Sequence, residues 1–176
     1  MKAAFLKAQG HLTITQLDAP TIQEPNQILI QVKTVGICGS EVHAFEGTHP
    51  FRKAPVVLGH EMAGVVSAVG GEVSAFKPGD RAIADPQWTC GTCSYCQAGD
   101  INLCTTKKVL GTLPWSGAFG EFVIVPEEAL FRLPDHLSFR QGSLIEPLTV
   151  AVHVTRRAGL QAGESVAILG SGSIGG

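Results

Sequence analysis

The stretch VVLGHEMAGVVSAVGGEV, residues 56–73, is valine-rich, nearly uncharged and interrupted by glycines. Its β-branched residues predict strand, and glycines inside a strand predict bulges or close backbone approach rather than a uniform ladder. His60 and Glu61 stand together where the run begins, both able to bind a metal ion. The flanking segments extend the β pattern. KAAFLKA (residues 2–8) and HLTITQLD (residues 11–18) predict a hairpin. In QILIQVKTVGIC (residues 27–38), Ile28, Ile30 and Val32 alternate with Leu29, Gln31 and Lys33, the period of a half-buried strand. KPGDRAIA (residues 77–84) predicts a turn into a strand, and GAFGEFVIVP (residues 117–126) a strand closed by Pro126.

The pattern changes near residue 138. SFRQGSLIEPLTVAVHVTRRAGL (residues 138–160) predicts helix, with Ser138 as its cap and Pro147 causing a kink or a division into two segments. ESVAILG (residues 164–170) predicts a short buried strand of the kind that opens a parallel sheet. The expected organisation is mainly β over residues 1–141, then a helix and the start of an α/β unit over residues 142–176.

Composition narrows the function. Charged residues are 16% of the chain and mean hydropathy is +0.21, yet no apolar run is long enough to span a bilayer. A net charge of −2 without a basic cluster argues against nucleic acid as the main partner. The N-terminal MKAAFLKAQG lacks the apolar core of a signal peptide, so a cytoplasmic location is expected. Five cysteines, an odd number in a reducing compartment, do not suggest a disulfide framework.

Four of them lie in CGTCSYCQAGDINLC as Cys90, Cys93, Cys96 and Cys104, spaced C-x2-C-x2-C-x7-C. Such a set can close a tetrahedral zinc site with no open position, a structural site that holds a loop poor in apolar core. Iron–sulfur ferredoxins use a shorter final gap followed by proline, and Thr105 stands there instead, which favours zinc. The fifth cysteine, Cys38, lies in GICGSEVHAFEG (residues 36–47) and alone would read as a small core residue. With His60 and with Glu146 of IEPL (residues 145–148) it makes three mixed donors, and three protein ligands would leave a zinc position for water or substrate. Sequence separation does not bring these three together, and by itself Glu146 reads equally well as a cap or a salt-bridge partner.

The chain resembles the zinc-dependent medium-chain alcohol dehydrogenases. GHEMAGVVSAVGGEV (residues 59–73) fits their G-H-E-x2-G-x5-G-x2-V signature at every defined position, GICGSEVH resembles their G-x-C-G-[ST]-[DE]-x-H segment, and the four-cysteine loop matches their structural-zinc lobe. The resemblance implies a GroES-like β fold followed by a Rossmann coenzyme domain. It implies Cys38 and His60 as catalytic-zinc ligands, with Glu61 an alternate ligand or a partner of the ligands. The third ligand position would fall to Glu146, direct or through water. Its Glu-Pro-Leu context resembles the polyol, sorbitol and threonine dehydrogenase branch. The implied reaction is oxidation of a secondary alcohol or polyol to a ketone with hydride transfer to NAD or NADP. Ser40, the cofactor ribose and His43 would relay the proton to solvent.

GSGSIGG supplies Gly170, Gly172 and Gly175 in the G-x-G-x-x-G pattern of a dinucleotide-binding turn. The helix and distal acidic or basic residue that complete such a site do not follow, so the sequence reads as a catalytic domain ending just inside a coenzyme domain. The 176-residue form is expected to bind zinc without turning over. The longer form is expected to be a homo-oligomer acting on a small-molecule alcohol, with no nucleic-acid or membrane partner. The rival readings are a non-catalytic zinc-stabilised β binding module, an iron–sulfur carrier, and a quinone or enoyl reductase, whose relatives usually lack both cysteine sets.

Overall fold

The computed structural model describes residues 1–172 together with Ile174 and Gly175; Ser173 and Gly176, within the expected 142–176 unit, lie outside the described residues. Strands β1 (Lys2–Ala8) and β2 (His11–Gln16) form the expected hairpin. β3 (Gln27–Val35) follows, then a short helix, α1 (Gly39–Phe45). The stretch that opened the sequence analysis gives two strands, β4 (Val56–Val57) and β5 (Met62–Val69). β4 pairs with β1 in a three-stranded sheet of order β2-β1-β4, whereas β5 pairs with β3 in a second sheet. His60 and Glu61 therefore lie where the chain crosses from one sheet to the other.

The second sheet also takes in β6 (Arg81–Ala84), β9 (Phe122–Pro126) and β10 (Leu130–Arg132), in the antiparallel order β10-β6-β5-β3-β9. Between β6 and β9 runs the cysteine loop. It contains one turn of helix, α2 (Ser94–Gln97), and a two-stranded ribbon of β7 (Gln87–Trp88) with β8 (Lys108–Val109). The bulges anticipated from the glycines are present. Opposite β3, Ser67 is an extra residue in β5, and Lys33 is an extra residue in β3 opposite β5.

The alternation in β3 sets the core. Ile28 and Ile30 are fully buried and cluster with Met62, Val66, Leu110 and Val125, while Gln31 faces out. Burying each such side chain contributes about 1.5–3 kcal/mol. A smaller cluster of Leu6, Ala44, Val56 and Leu58 packs α1 against the hairpin. These two cores fix the crossing segment from both sides.

Ser138 caps α3 (Phe139–Ser143) in a reciprocal box: the Gln141 N–H donates to Ser138 Oγ at 3.2 Å, and the Ser138 N–H donates to Gln141 Oε1 at 2.8 Å. Two segments form, as anticipated, but the division falls at Leu144, before α4 (Ile145–Ala158), not at Pro147. Pro147 sits in the first turn of α4, where a backbone N–H has no intrahelical acceptor and its loss costs little. Ser143 is buried on the sheet side, but no residue of α4 is buried. The strand expected over 164–170 is a correction: that segment is irregular and Leu169 is wholly exposed. A strand that opens a sheet needs a neighbour to take its backbone hydrogen bonds, and none is offered among the described residues. No helix among them is long and apolar enough to cross a membrane.

Candidate metal centre

Cys38 is the N-cap of α1 and Glu41 its third helical residue. This spacing lets one carboxylate act in two directions. Glu41 Oε2 accepts the Cys38 backbone N–H at 2.9 Å, and Oε1 lies 2.7 Å from His60 Nδ1. Glu41 is buried, and burial pushes its carboxyl up, but the His60 hydrogen bond and the His60 and Arg52 charges outweigh burial and hold it below the usual carboxylate range. An ionised carboxylate only accepts, so Nδ1 carries the ring proton and Nε2 keeps its lone pair for a metal.

The donor atoms of Cys38, Glu41 and His60 lie within 4.8 Å of one another, and so do those of His60, Glu61 and Glu146. His60 is common to both groups, which draw their other members from the α1 cap, the sheet crossing and the first turn of α4. Zinc–ligand bonds of about 2.0–2.3 Å separate tetrahedral donors by roughly 3.3–3.8 Å, a spacing compatible with the donors inside either group. Glu61 packs its carboxylate against Gly36, where any Cβ would collide with it, and the Gly36 N–H donates to the Glu61 carbonyl at 2.8 Å. Glu146 is half-buried. Burial pushes its carboxyl above the usual range, and the neighbouring Glu61, Asp85 and Glu41 push the same way against the pull of His60. Two carboxylates held this close are a site whose mutual repulsion a divalent ion would relieve.

Ser40 Oγ is buried and has no hydrogen-bond partner among the described residues, as expected of a hydroxyl that awaits one. One turn along α1, His43 is exposed, with Nδ1 3.4 Å from Thr48 Oγ and 3.7 Å from Glu46. The pair therefore runs from a buried hydroxyl to an imidazole at the surface.

The four-cysteine cluster is compact. All four sulfurs lie within 4.8 Å of one another, with Cys104 to Cys90 at 3.6 Å and Cys90 to Cys96 at 4.0 Å. A tetrahedral Zn–S4 site has edges of about 3.8 Å. The five cysteines are unbridged. Hydrogen bonds from Thr106, Thr92 and Cys93 lower the Cys90 thiol to about 5, and Cys104 is lowered chiefly by the Cys90 N–H. Burial and neighbouring sulfurs push Cys96 up to about 11. A loop that already favours thiolate at two sulfurs and crowds the third suits a cation.

Gly170, Gly172 and Gly175 are not joined to these sites. They lie in the irregular tail, where the Gly175 N–H donates to the Gly172 carbonyl at 3.1 Å and residues 164–170 form no strand. Sequence reasoning did not single out two residues, Glu41 and Arg52. The Cys38-x-x-Glu41 spacing is a capping-box signal that could have flagged Glu41. Arg52 leaves no such mark. The His49 ring accepts the Phe51 and Arg52 N–H groups at 3.1 and 2.9 Å and caps a turn.

Residues 24–135 match the family described as the alcohol dehydrogenase GroES-like domain. The chain is 42% identical over 159 residues to a probable D-xylulose reductase A of Aspergillus clavatus, spanning 89% of this chain and 44% of that one. It is 40% identical to the sorbitol dehydrogenase of Bacillus subtilis, spanning 99% of this chain and 50% of that one. Among solved structures, a protein of Sinorhizobium meliloti described as a zinc-binding dehydrogenase and bound to NADP superposes with a TM-score of 0.92 at 38% identity, covering 99% of this chain and 50% of the other. The chain spans about half the length of the relatives it matches.

Proposed function

Because this chain belongs to the alcohol dehydrogenase GroES-like domain family, we propose that it is the catalytic part of a zinc-dependent dehydrogenase that oxidises a secondary alcohol or polyol to a ketone with NAD or NADP. The observation that carries this reading is that His60 shares one donor group with Cys38 and Glu41 and another with Glu61 and Glu146, with a buried serine hydroxyl two residues after Cys38. Similarity to a sorbitol dehydrogenase and a xylulose reductase supports the polyol class. We divide the chain into a zinc-binding domain, residues 1–141, and a connecting helix with the start of a coenzyme domain, residues 142–176. The lack of any fully buried residue in α4 supports that division.

Zinc at the mixed site would supply Lewis acidity at the alcohol oxygen, and the nicotinamide would accept hydride from the carbinol carbon. The residues do the rest. Cys38 and His60 bind, with Glu61 or Glu146 completing the set. Glu41 fixes the His60 tautomer, and through the Cys38 N–H it fixes the helix cap that presents the thiolate. Ser40 Oγ would receive the alcohol proton as it gives up its own, and His43, at the surface, would release a proton to water, with the cofactor ribose as the link between them. Atoms balance as alcohol plus NAD(P)+ giving ketone, NAD(P)H and one proton. The four-cysteine lobe holds a second, structural zinc. The setting is the cytoplasm, which five unbridged thiols support, and the active form is a homo-oligomer without nucleic-acid or membrane partners.

A chimera that follows residue 176 with the coenzyme half of the Bacillus subtilis sorbitol dehydrogenase tests the proposal. It should oxidise polyols with NAD or NADP, and Cys38→Ser should abolish turnover while leaving the lobe zinc bound. A folded, zinc-loaded chimera inert towards a panel of polyols and secondary alcohols would refute it.

A further inference from the structure

Arg52 is a charged residue buried to 5% exposure on the loop between α1 and β4. Such a group needs acceptors inside the protein. Its Nη1 donates to the Leu110 carbonyl at 3.0 Å and stands 3.5 Å from Glu41 Oε1, the same oxygen that holds His60 Nδ1. Both ends are fixed. The Arg52 N–H is held by the His49 ring, and the Leu110 N–H donates to the Pro86 carbonyl at 2.8 Å. Gly111, in left-handed backbone at φ 77°, leaves room for the guanidinium: a Cβ there would sit 2.6 Å from Nη1.

We propose that Arg52 is a positioning residue for the Cys38–His60 metal site, acting through Glu41. Its polar contacts run to Glu41, Leu110 and His49. Its charge faces the same carboxylate oxygen that holds the His60 ring, so Oε1 is shared by a cation and a ring N–H. Leu110 also follows directly on β8, the strand by which the chain leaves the cysteine lobe, so Arg52 ties the lobe's exit to the metal site. This inference rests on the proposal that Cys38 and His60 bind a metal, and the experiment separates the two.

The 176-residue protein, with zinc already in the four-cysteine lobe, is titrated with cobalt(II) against a competing chelator. The readouts are the Cys38 thiolate-to-cobalt absorption and the ligand-field bands. Wild type should show one such site; if it shows none, the metal reading itself fails. Arg52→Met should bind cobalt about tenfold more weakly, the scale for losing a partner outside the ligand shell, with shifted ligand-field bands. Arg52→Lys, which keeps the charge, should recover most of that loss. In a Glu41→Gln background Arg52→Met should add little. If Arg52→Met binds as wild type does, or if its loss is undiminished beside Glu41→Gln, wild-type binding would stand and the Arg52 role would fall. An equal loss at the cysteine lobe would also overturn it, because that marks general destabilisation. Should Arg52→Met not fold, nitrogen NMR of wild-type His60 decides: a protonated Nδ1 and metal-bound Nε2 are expected, and metal on Nδ1 would break the chain of contacts.

Discussion

Replacing Glu41 by Gln keeps the shape of the side chain and removes its charge. The wild-type carboxylate accepts from the Cys38 N–H at 2.9 Å and from His60 at 2.7 Å, and it faces the Arg52 guanidinium at 3.5 Å, all in a buried setting. Turning the charge-assisted bond to His60 into a neutral one costs about 1 kcal/mol. Leaving a buried cation without its counter-charge costs roughly 3–5 kcal/mol, and the retained bond from Arg52 to Leu110 puts this case at the low end. Because the groups share one oxygen the terms do not add fully, and a net loss of about 3 kcal/mol is expected. For a chain of this length each kcal/mol lowers Tm by roughly 2–4 °C, so the metal-free variant should melt about 6–12 °C below wild type. Zinc affinity at Cys38 and His60 should fall by about 10–100-fold while the four-cysteine lobe keeps its own affinity. Calorimetry on metal-free protein and competitive zinc titration read the two effects. A variant whose Tm and mixed-site affinity both match wild type would show that Glu41 neither balances Arg52 nor orients His60.

Three further perturbations probe other parts of the site. Cys104→Ser should leave one bound zinc per chain rather than two and lower the denaturant midpoint, read by metal analysis and urea unfolding. For Glu146 the folded-state pKa is raised, so its stabilising contribution is present below the ordinary glutamate value of about 4.3 and is lost as pH rises through the folded value. Glu146→Gln should therefore unfold at higher temperature than wild type at neutral pH without metal, and the difference should vanish at low pH. Gly36→Ala places a methyl group against the Glu61 carboxylate and should cost about 1–3 kcal/mol in urea unfolding, as overpacking does.

Local signals were legible in the sequence because they act within a few residues. The alternation in β3, the Ser138 cap and the cysteine spacing each depend on near neighbours, and each appears in the structure. Pro147 was misread because a proline signal does not distinguish a helix interior from a first turn. Segment 164–170 has a strand's composition, but a strand exists only with a partner, and that is a property of the rest of the sheet. The metal site lay between these cases. Its residue types were visible, and the resemblance suggested that Cys38, His60 and Glu146 meet, but spacing alone did not. Arg52 was invisible. Its importance comes from a contact across the loop with Glu41 and another with Leu110, neither of which leaves a periodic or compositional trace.

The central claim is that distant residues build a metal site apart from the cysteine lobe. Anomalous diffraction at the zinc edge from crystals of the zinc-loaded protein tests it most directly. Two peaks are expected, one among Cys90, Cys93, Cys96 and Cys104, the other within about 2.0–2.3 Å of Cys38 Sγ and His60 Nε2. A single peak confined to the four-cysteine lobe, with full zinc in solution, would contradict the account.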